Sequence, residues 1–413
     1  MAKILVYQLY PRTWTNIREM EQHLKRIAKL GVDYVWLSPM YPSPGFDHGY
    51  DVANYKAIDW RFGTMDDFKS FVGTAHSLGI GVLMDLVLNH TSTAHPWFRE
   101  KPGYYYWSDS DRPGWENLFD RGSCWEKYRS NNPDEDEERG HYLHLFQKYQ
   151  ADLKWFNGDK INQTLLSEFR DIVKFWLDVH GVDGFRLDFP QGLNKDLDAN
   201  TLEVFDLLWG NRMDDVISAI FDDPSVVTRD GKKPFLIAEF FDSTPAEVIR
   251  QCSIELPCID FFLNPLVKSA ILEKNGLHIL DSCIEASVKN QKFMLDLESH
   301  DAPRFTSLSG LDPRQIFRLM FDSGASGICL YQGQELGVLN PTWIQLTDSA
   351  MVELDAMTAM RYHSGESLHD LRKYSRANAR VRYSLTDYAC QEGQSDSPLN
   401  YIKDIIRDWK SRA

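Results

Sequence analysis

Three carboxylates end or directly follow apolar runs that are typical of buried strands. Asp188 lies in GFRLDF (184–189), and Glu239 and Asp301 lie at the ends of two later runs. Arg186 stands two residues before Asp188, so a strand places both side chains on one face. Carboxylates facing one another across a pocket suit glycosidic bond cleavage, one as nucleophile and another as general acid and then base. An internal ion pair, and a magnesium or calcium site, are the alternatives.

Two histidines accompany these carboxylates. His90 follows the third apolar run, after Asp85, and His300 directly precedes Asp301. Either histidine alone would more often have a structural role. Like charges at matching strand ends raise one another's pKa, which favours a functional reading for the whole group. An arginine beside Asp188 favours a poised anion over a metal ligand, because a guanidinium keeps a carboxylate ionised.

The elements that must position these residues alternate between short apolar runs and longer helical patterns, as in parallel βα units. We predict eight strands, at 4–10, 33–38, 81–88, 183–189, 234–240, 258–263, 293–299 and 326–331. Eight strands with helical crossovers predict an α/β fold, a (β/α)8 TIM barrel, in which reactive groups gather where strands end. A doubly wound open sheet is the alternative, although no glycine-rich phosphate-binding motif follows any strand.

One connection is much longer than a usual βα loop, and it predicts an inserted subdomain at residues 91–160, after the third strand. The barrel then comprises residues 1–90 and 161–413, and a closing helix covers 398–412. We expect no C-terminal β domain, since the chain stops where the last barrel helix should end.

Composition narrows the classes of partner. The net charge of −15 argues against nucleic acid and against an anionic membrane surface. The six cysteines form no CxxC pair, and no run approaches a membrane span, so we expect a cytoplasmic protein without disulfides. The 12 Trp, 18 Tyr and 23 Phe residues hint weakly at sugar stacking.

Motifs in a fixed order resemble the α-amylase family, glycoside hydrolase family 13, and within it the oligo-1,6-glucosidase and α-glucosidase branch. The matching segments cover nearly the whole chain: VYQLYPRTW (6–14), GVDYVWLSPMYPSPGFDHGYDVANY (31–55), DLVLNHTSTAHPWF (85–98), YLHLFQKYQADLKWFN (142–157), GFRLDF (184–189), LIAEF (236–240), ESHDAPRF (298–305) and YQGQELG (331–337).

This resemblance implies a role for each matching residue. It implies Asp188 as nucleophile, Glu239 as acid/base and Asp301 as the carboxylate that grips sugar hydroxyls. The implied substrate-binding residues are Tyr50, Asp51, His90, Phe146, Arg186, Phe189, Phe241, His300 and Arg376. Among them, Tyr50 stacks beneath the sugar, Asp51 holds its terminal hydroxyls, and Arg376 pairs with Asp51, although Arg380 lies close by.

The sequence departs from the family at further positions. PRTWTNIREM runs straight into the first helix without the acidic calcium loop of this branch, so we expect no metal and no cofactor. Phe189 replaces a small residue after the nucleophile, at a position that influences linkage preference. Phe240 and Phe241 follow the acid/base and predict an apolar aglycone side.

We therefore expect a retaining α-glucoside hydrolase acting on short α-linked gluco-oligosaccharides or α-glucosides. Three alternatives stay open: a transglycosylase or isomerase that is trehalose-synthase-like or sucrose-active, a sugar phosphorylase, and a non-catalytic sugar-binding relative. The expected partner is a small carbohydrate, and a homo-oligomer is an open alternative because one barrel face would be uncovered.

Overall fold

The structure is a computed structural model. It describes residues 2–112, 116–117, 122–129, 139–195, 212–240, 258–263, 292–340, 376, 379–380 and 385–412.

Eight parallel strands form the central sheet. Their bounds are β1 Ile4–Leu9, β2 Tyr34–Leu37, β3 Gly81–Val87, β11 Gly184–Asp188, β12 Phe235–Glu239, β13 Phe261–Leu263, β14 Met294–Asp296 and β15 Gly327–Tyr331. The hydrogen-bonded order is β13-β12-β11-β3-β2-β1-β15-β14. The two ends meet where the Phe262 N–H donates to the Lys292 carbonyl at 2.8 Å, beside a parallel bridge from Phe262 to Phe293. The predicted (β/α)8 barrel and all eight of its strands are confirmed.

Two apolar layers hold the barrel together. Side chains from seven strands fill its interior: Val6, Trp36, Leu83, Ile237, Phe261, Met294 and Cys329. The alternate side chains pack outward against the helices in a larger buried cluster. Gly327 belongs to this packing, because a Cβ at that position would lie 2.4 Å from the ring of Phe261. The apolar runs are thus buried on both faces, as a parallel sheet requires.

Helices follow the strands along the chain. Among the described residues they are α1 Ile17–Ala28, α2 Met65–Ser77, α3 Pro96–Glu100, α4 Gln163–Lys174, α5 Arg212–Phe221, α6 Phe305–Ser309, α7 Pro313–Phe321, α8 Leu385–Glu392 and α9 Pro398–Ser411. The start of α2 is fixed by a capping box between Thr64 and Asp67. In the part of the chain that the structure describes, no helix has the length and apolar character needed to cross a membrane.

Short antiparallel strands occupy the connection between β3 and α4. They are β4 His90–Ser92, β5 Trp107–Ser108, β6 Trp125–Lys127, β7 His141–Leu143, β8 Gln150–Asp152, β9 Phe156–Asn157 and β10 Lys160–Ile161. β4 pairs with β8, β7 lies between β5 and β6, and β9 pairs with β10. The subdomain boundaries at 91 and 160 stay a prediction. β8 and β4 bring their own side chains to the carboxyl end of β3.

Candidate active site

Arg186 connects three buried carboxylates at the carboxyl ends of neighbouring strands. Its Nη1 lies 2.6 Å from Asp188 Oδ1 and 3.0 Å from Asp85 Oδ1, and its Nη2 lies 2.5 Å from Glu239 Oε1. Strand register explains this grouping, because Arg186 pairs with Asp85 across β3 and with Ile237 across β12. The ion pair predicted for Arg186 and Asp188 is therefore present, and it extends to two further carboxylates.

Burial changes the protonation of this group. Removal from water raises the pKa of Asp188 to about 7 and that of Asp85 to about 6. Arg186 opposes this rise at both residues. Like charges add to it, because Asp85 raises the pKa of Asp188 and Glu239 raises the pKa of Asp85. Asp188 thus has a pKa well above that of an ordinary aspartate, although a guanidinium contacts it. The expectation that Arg186 keeps Asp188 ionised therefore holds only above this raised pKa.

This raised pKa leads to a testable pH dependence. If Asp188 must be ionised to react, kcat/KM falls as the pH decreases through about 7, where Asp188 takes up a proton. We expect Asp85→Asn to move this acid limb to lower pH, because the variant removes a like charge from beside Asp188. The measurement is the kcat/KM of both proteins on 4-nitrophenyl α-glucoside across the pH range. An acid limb that stays in place in Asp85→Asn contradicts the assignment.

Asp301 lies beside His300 and two arginines, and its side chain is 30% exposed. Its Oδ2 is 3.1 Å from His300 Nε2, and its Oδ1 is 3.1 Å from Arg380 Nη2 and 3.7 Å from Arg376 Nη1. Burial raises the pKa of Asp301, but the attraction of His300, Arg380 and Arg376 outweighs it and leaves the pKa below its usual range. Asp301 is thus held as an anion while remaining accessible.

Tyr50 joins the group around Arg186 to the group around Asp301. Its hydroxyl donates to Asp85 Oδ2 at 3.0 Å and lies 2.7 Å from His300 Nε2. Its ring stacks on His300 with centroids 5.5 Å apart and an interplanar angle of 7°. The structure therefore brings Tyr50 and His300 together with the carboxylates.

His90 lies at the same end of the barrel in a buried polar setting. Its Nε2 is 3.0 Å from Gln150 Nε2 and 3.2 Å from the Tyr50 carbonyl, and its Nδ1 is 3.0 Å from Asn89 Nδ2. Burial lowers the pKa of His90 to about 4, so the ring is neutral near pH 7. Phe146 faces it, with ring centroids 5.3 Å apart. The site thus has a neutral imidazole opposite an aromatic wall.

The placement predicted for Asp51 is wrong. Its carboxylate is fully buried and accepts hydrogen bonds from the Ser43 hydroxyl and from the backbone N–H groups of Gly45, Phe46 and Asp47. These four bonds fold the 43–51 loop on itself and use both carboxylate oxygens. Asp51 is therefore a loop-forming residue and does not face Arg376.

Asp47 takes the place predicted for Asp51. Its Oδ1 is 3.1 Å from Arg376 Nη2, and its Oδ2 accepts from Gln150 Nε2 at 2.8 Å. Burial raises the pKa of Asp47, but Arg376 and the other neighbouring donors outweigh it and lower the pKa. The motif FDHGYD contains two aspartates four residues apart, and spacing alone does not distinguish them. Left-handed backbone at His48, with φ 50°, marks the sharp turn that separates their directions.

Phe189 lies where its backbone conformation is strained, with φ 35° and ψ 57° directly after the nucleophile candidate. Its ring meets Phe146 edge to face with centroids 5.1 Å apart. Phe240 is buried and packs on Phe262 at 4.8 Å. Phe240 therefore lies in the core and does not contribute the apolar aglycone side expected from it. Phe241 lies outside the described residues.

A buried lysine beneath the site was not found from the sequence. Lys195 Nζ lies 3.1 Å from Asp152 Oδ2 on β8 and 2.6 Å from Asn89 Oδ1 at the end of β3. Burial lowers the pKa of Lys195, while Asp152 acts in the opposite direction. Lys195 thereby ties the short antiparallel strands to the barrel beside His90. Lys195 stands between Asn194 and Asp196 in a mostly polar segment, so nothing in the sequence indicated that it would be buried.

The fold and the site together define a (β/α)8 barrel protein with an arginine-linked carboxylate centre at the carboxyl ends of its strands. The sequence model of the family named Alpha amylase, catalytic domain, matches residues 11–381 of this chain. The chain belongs to the α-amylase family.

Comparison with individual proteins adds detail. Glucan 1,6-alpha-glucosidase of Streptococcus dysgalactiae subsp. equisimilis is 30% identical over 440 residues, which cover 92% of this chain and 74% of that protein. Trehalose-6-phosphate hydrolase of Escherichia coli K12 is 40% identical over 211 residues, 46% of this chain and 36% of that protein. This chain spans only about a third of the length of the relatives near 40% identity: the matched residues cover 35% to 37% of three of these proteins.

Solved structures show the same fold. Isomaltulose synthase from Klebsiella sp. LX3 has a TM-score of 0.83 and 23% identity, covering 98% of this chain and 83% of that chain. At this identity the likeness concerns the fold alone.

Proposed function

We propose that the protein is a retaining α-glucoside hydrolase acting on short α-linked gluco-oligosaccharides or α-glucosides. The observation that carries this proposal is the single guanidinium of Arg186, which binds Asp188 through Nη1 and Glu239 through Nη2. Two carboxylates on one guanidinium favour the short separation of a retaining enzyme, roughly 5–5.5 Å, over the wider spacing of inverting enzymes. The α-glucosidase names of several family relatives support the substrate class.

The mechanism assigns one role to each carboxylate. An Asp188 oxygen bonds to the anomeric carbon while the glycosidic C–O bond breaks, and the leaving oxygen takes a proton from Glu239. Glu239 then removes a proton from water, whose oxygen attacks the anomeric carbon and releases Asp188. Asp301, held as an anion, binds sugar hydroxyls as the ring distorts. Glu239 regains from water the proton that it gave to the leaving group, so the full cycle consumes one water and no net proton.

The end of the site opposite the leaving group supports an exo-acting pocket. Asp47 and Arg376 form a buried ion pair, and Gln150 links Asp47 to His90. These groups offer charged hydrogen bonds to the terminal hydroxyls of one glucosyl unit. A closed polar end of this kind accepts short substrates better than polymers.

We further propose a cytoplasmic location and a small carbohydrate as the substrate, with no nucleic-acid or membrane partner. Among the described cysteines, Cys124, Cys258 and Cys390 are reduced thiols, which supports a reducing compartment. Assembly into a homo-oligomer is left to solution measurement.

Product analysis by ¹H NMR tests the reaction type. The panel comprises maltose, isomaltose, sucrose, trehalose, trehalose 6-phosphate and 4-nitrophenyl α-glucoside. We expect glucose to appear first as the α-anomer, since two displacements at the anomeric carbon retain its configuration. A β-anomer appearing first would overturn the proposal. Sucrose converted to an isomeric disaccharide without net glucose release would favour the isomerase alternative.

Matched substitutions at Asp47 and Asp51 test the pocket. We expect Asp47→Asn to lower kcat/KM for the preferred glucoside by about 10- to 100-fold, as loss of a hydrogen bond to a charged group does, and to lower Tm moderately, because the amide oxygen of the variant still accepts from Arg376. We expect Asp51→Asn to lower Tm more. Asp51 accepts two hydrogen bonds at each carboxylate oxygen, whereas an asparagine amide accepts only at its one oxygen. The opposite pattern would return the sugar-binding role to Asp51.

A further inference from the structure

A buried chain of hydrogen bonds runs from β1 to the carboxylates. It begins at Gln8, a fully buried residue of β1, whose Nε2 lies 2.7 Å from His300 Nδ1. His300 Nε2 lies 2.7 Å from the Tyr50 hydroxyl, and this hydroxyl donates to Asp85 Oδ2 at 3.0 Å. Asp85 in turn contacts Arg186, so the chain ends at the centre of the site.

The direction of this chain is set at its Asp85 end. Asp85 Oδ1 is paired with Arg186, and Oδ2 also accepts from the Trp36 indole N–H at 3.1 Å. Above its pKa, Asp85 accepts hydrogen bonds at both oxygens, so the Tyr50 hydroxyl donates a hydrogen bond to Asp85. The Tyr50 oxygen is then left to accept from His300 Nε2–H. A neutral His300 with its proton on Nε2 needs a donor at Nδ1, and the Gln8 amide supplies one.

We propose that Gln8 is a positioning residue that fixes the tautomer of His300, so that the Nε2–H points at Tyr50 and Asp301. This inference rests on the proposed function for its catalytic consequence. The Gln8 amide also donates to the Ser38 hydroxyl at 3.1 Å, while its Oε1 has no hydrogen-bond partner in the described part of the chain. The amide group is thus turned with its donor toward the imidazole.

The surroundings of His300 hold its ring in a fixed position. The groups that face it from other elements are Tyr10, Trp36, Tyr50, Asp301 and, at its carbonyl, Arg380. Stacking by Tyr10 and Tyr50 holds the ring plane, and the tautomer then decides which nitrogen carries a proton toward Asp301. With a donor at Nδ1, the ring directs its Nε2–H at Asp301 Oδ2, 3.1 Å away, and this contact adds to the attraction of Arg376 and Arg380 for Asp301.

Two variants test the role of Gln8. Gln8→Met keeps the length of the side chain and removes the donor, and Gln8→Glu offers Nδ1 an acceptor. We expect each variant to lower kcat on 4-nitrophenyl α-glucoside by about tenfold and to change KM by less than about threefold. In ¹⁵N-histidine NMR, with His300 assigned by its loss in His300→Gln, we expect Nε2–H in the native protein and a protonated Nδ1 in Gln8→Glu.

Ser38→Ala is the matched control, because it removes the other hydrogen bond of the same amide and leaves the donor to His300. We expect its kcat and its His300 signals to match those of the native protein. An unchanged His300 tautomer in both Gln8 variants overturns the proposal, whatever happens to activity. A protein without α-glucosidase activity but with the expected NMR signals would instead count against the proposed function alone.

Discussion

Replacing Asp188 with glycine is expected to lower kcat on 4-nitrophenyl α-glucoside by about 10⁴-fold or more, the scale seen when a covalent nucleophile is removed. Sodium azide is expected to restore turnover and to give β-glucosyl azide. The physical reason is that glycine leaves a space beside Arg186, on the side of the sugar ring where the proposed mechanism places the Asp188 carboxylate. A small anion can occupy that space and attack in its place.

Glu239→Ala distinguishes the two carboxylates in the same assay. With this activated substrate the leaving group departs without a proton, Asp188 forms the glucosyl-enzyme, and azide then attacks from the α face to give α-glucosyl azide. Product configuration is read by ¹H NMR. If the two variants gave azides of the opposite configuration to those expected, the roles of Asp188 and Glu239 would have to be exchanged. If Asp188→Gly kept the native rate without azide, Asp188 would not be the nucleophile.

The barrel and the positions of its carboxylates were accessible from the sequence because they depend on local patterns. An apolar run that ends in a charged residue defines both the strand and the place of its last side chain. Asp188 and Glu239 are therefore found at strand ends where they were predicted. Asp301 lies in the loop after β14, which ends earlier than predicted, at Asp296.

The residues around these carboxylates were harder to assign, because their roles depend on contacts between distant segments. Asp47 and Asp51 lie in one loop, and only the folded loop shows that Asp51 binds backbone while Asp47 meets Arg376. Gln8 lies 292 positions before His300, and nothing in its own strand indicates that contact. Phe240 shows the converse error, since its place after Glu239 suggested the pocket and its ring is in the core.

Arg186 has a second consequence, for stability, since its charge faces three buried carboxylates. We expect Arg186→Met to lower the free energy of unfolding by about 3–5 kcal/mol near pH 8, the cost of leaving buried charges without their partner. Burial already raises the pKa of Asp85 and Asp188 above the unfolded values, and loss of Arg186 raises both further. A carboxyl with a raised folded pKa destabilises the fold as the pH increases from the unfolded pKa through the folded one.

The deficit of Arg186→Met is therefore expected to be largest at pH 8 and to shrink toward pH 5, as Asp85 and Asp188 take up protons. Urea unfolding of the native and variant proteins at several pH values measures it. Arg304→Met is the matched control, because Arg304 is also fully buried but, among the described residues, forms an ion pair with one carboxylate, Glu298, at 3.0 Å. Arg186 faces three buried carboxylates, two of which have a raised pKa, so we expect the steeper dependence on pH in Arg186→Met. A deficit that is equal at pH 5 and pH 8 would mean that Arg186 stabilises the barrel through packing, and that the charges of the site are balanced by other groups.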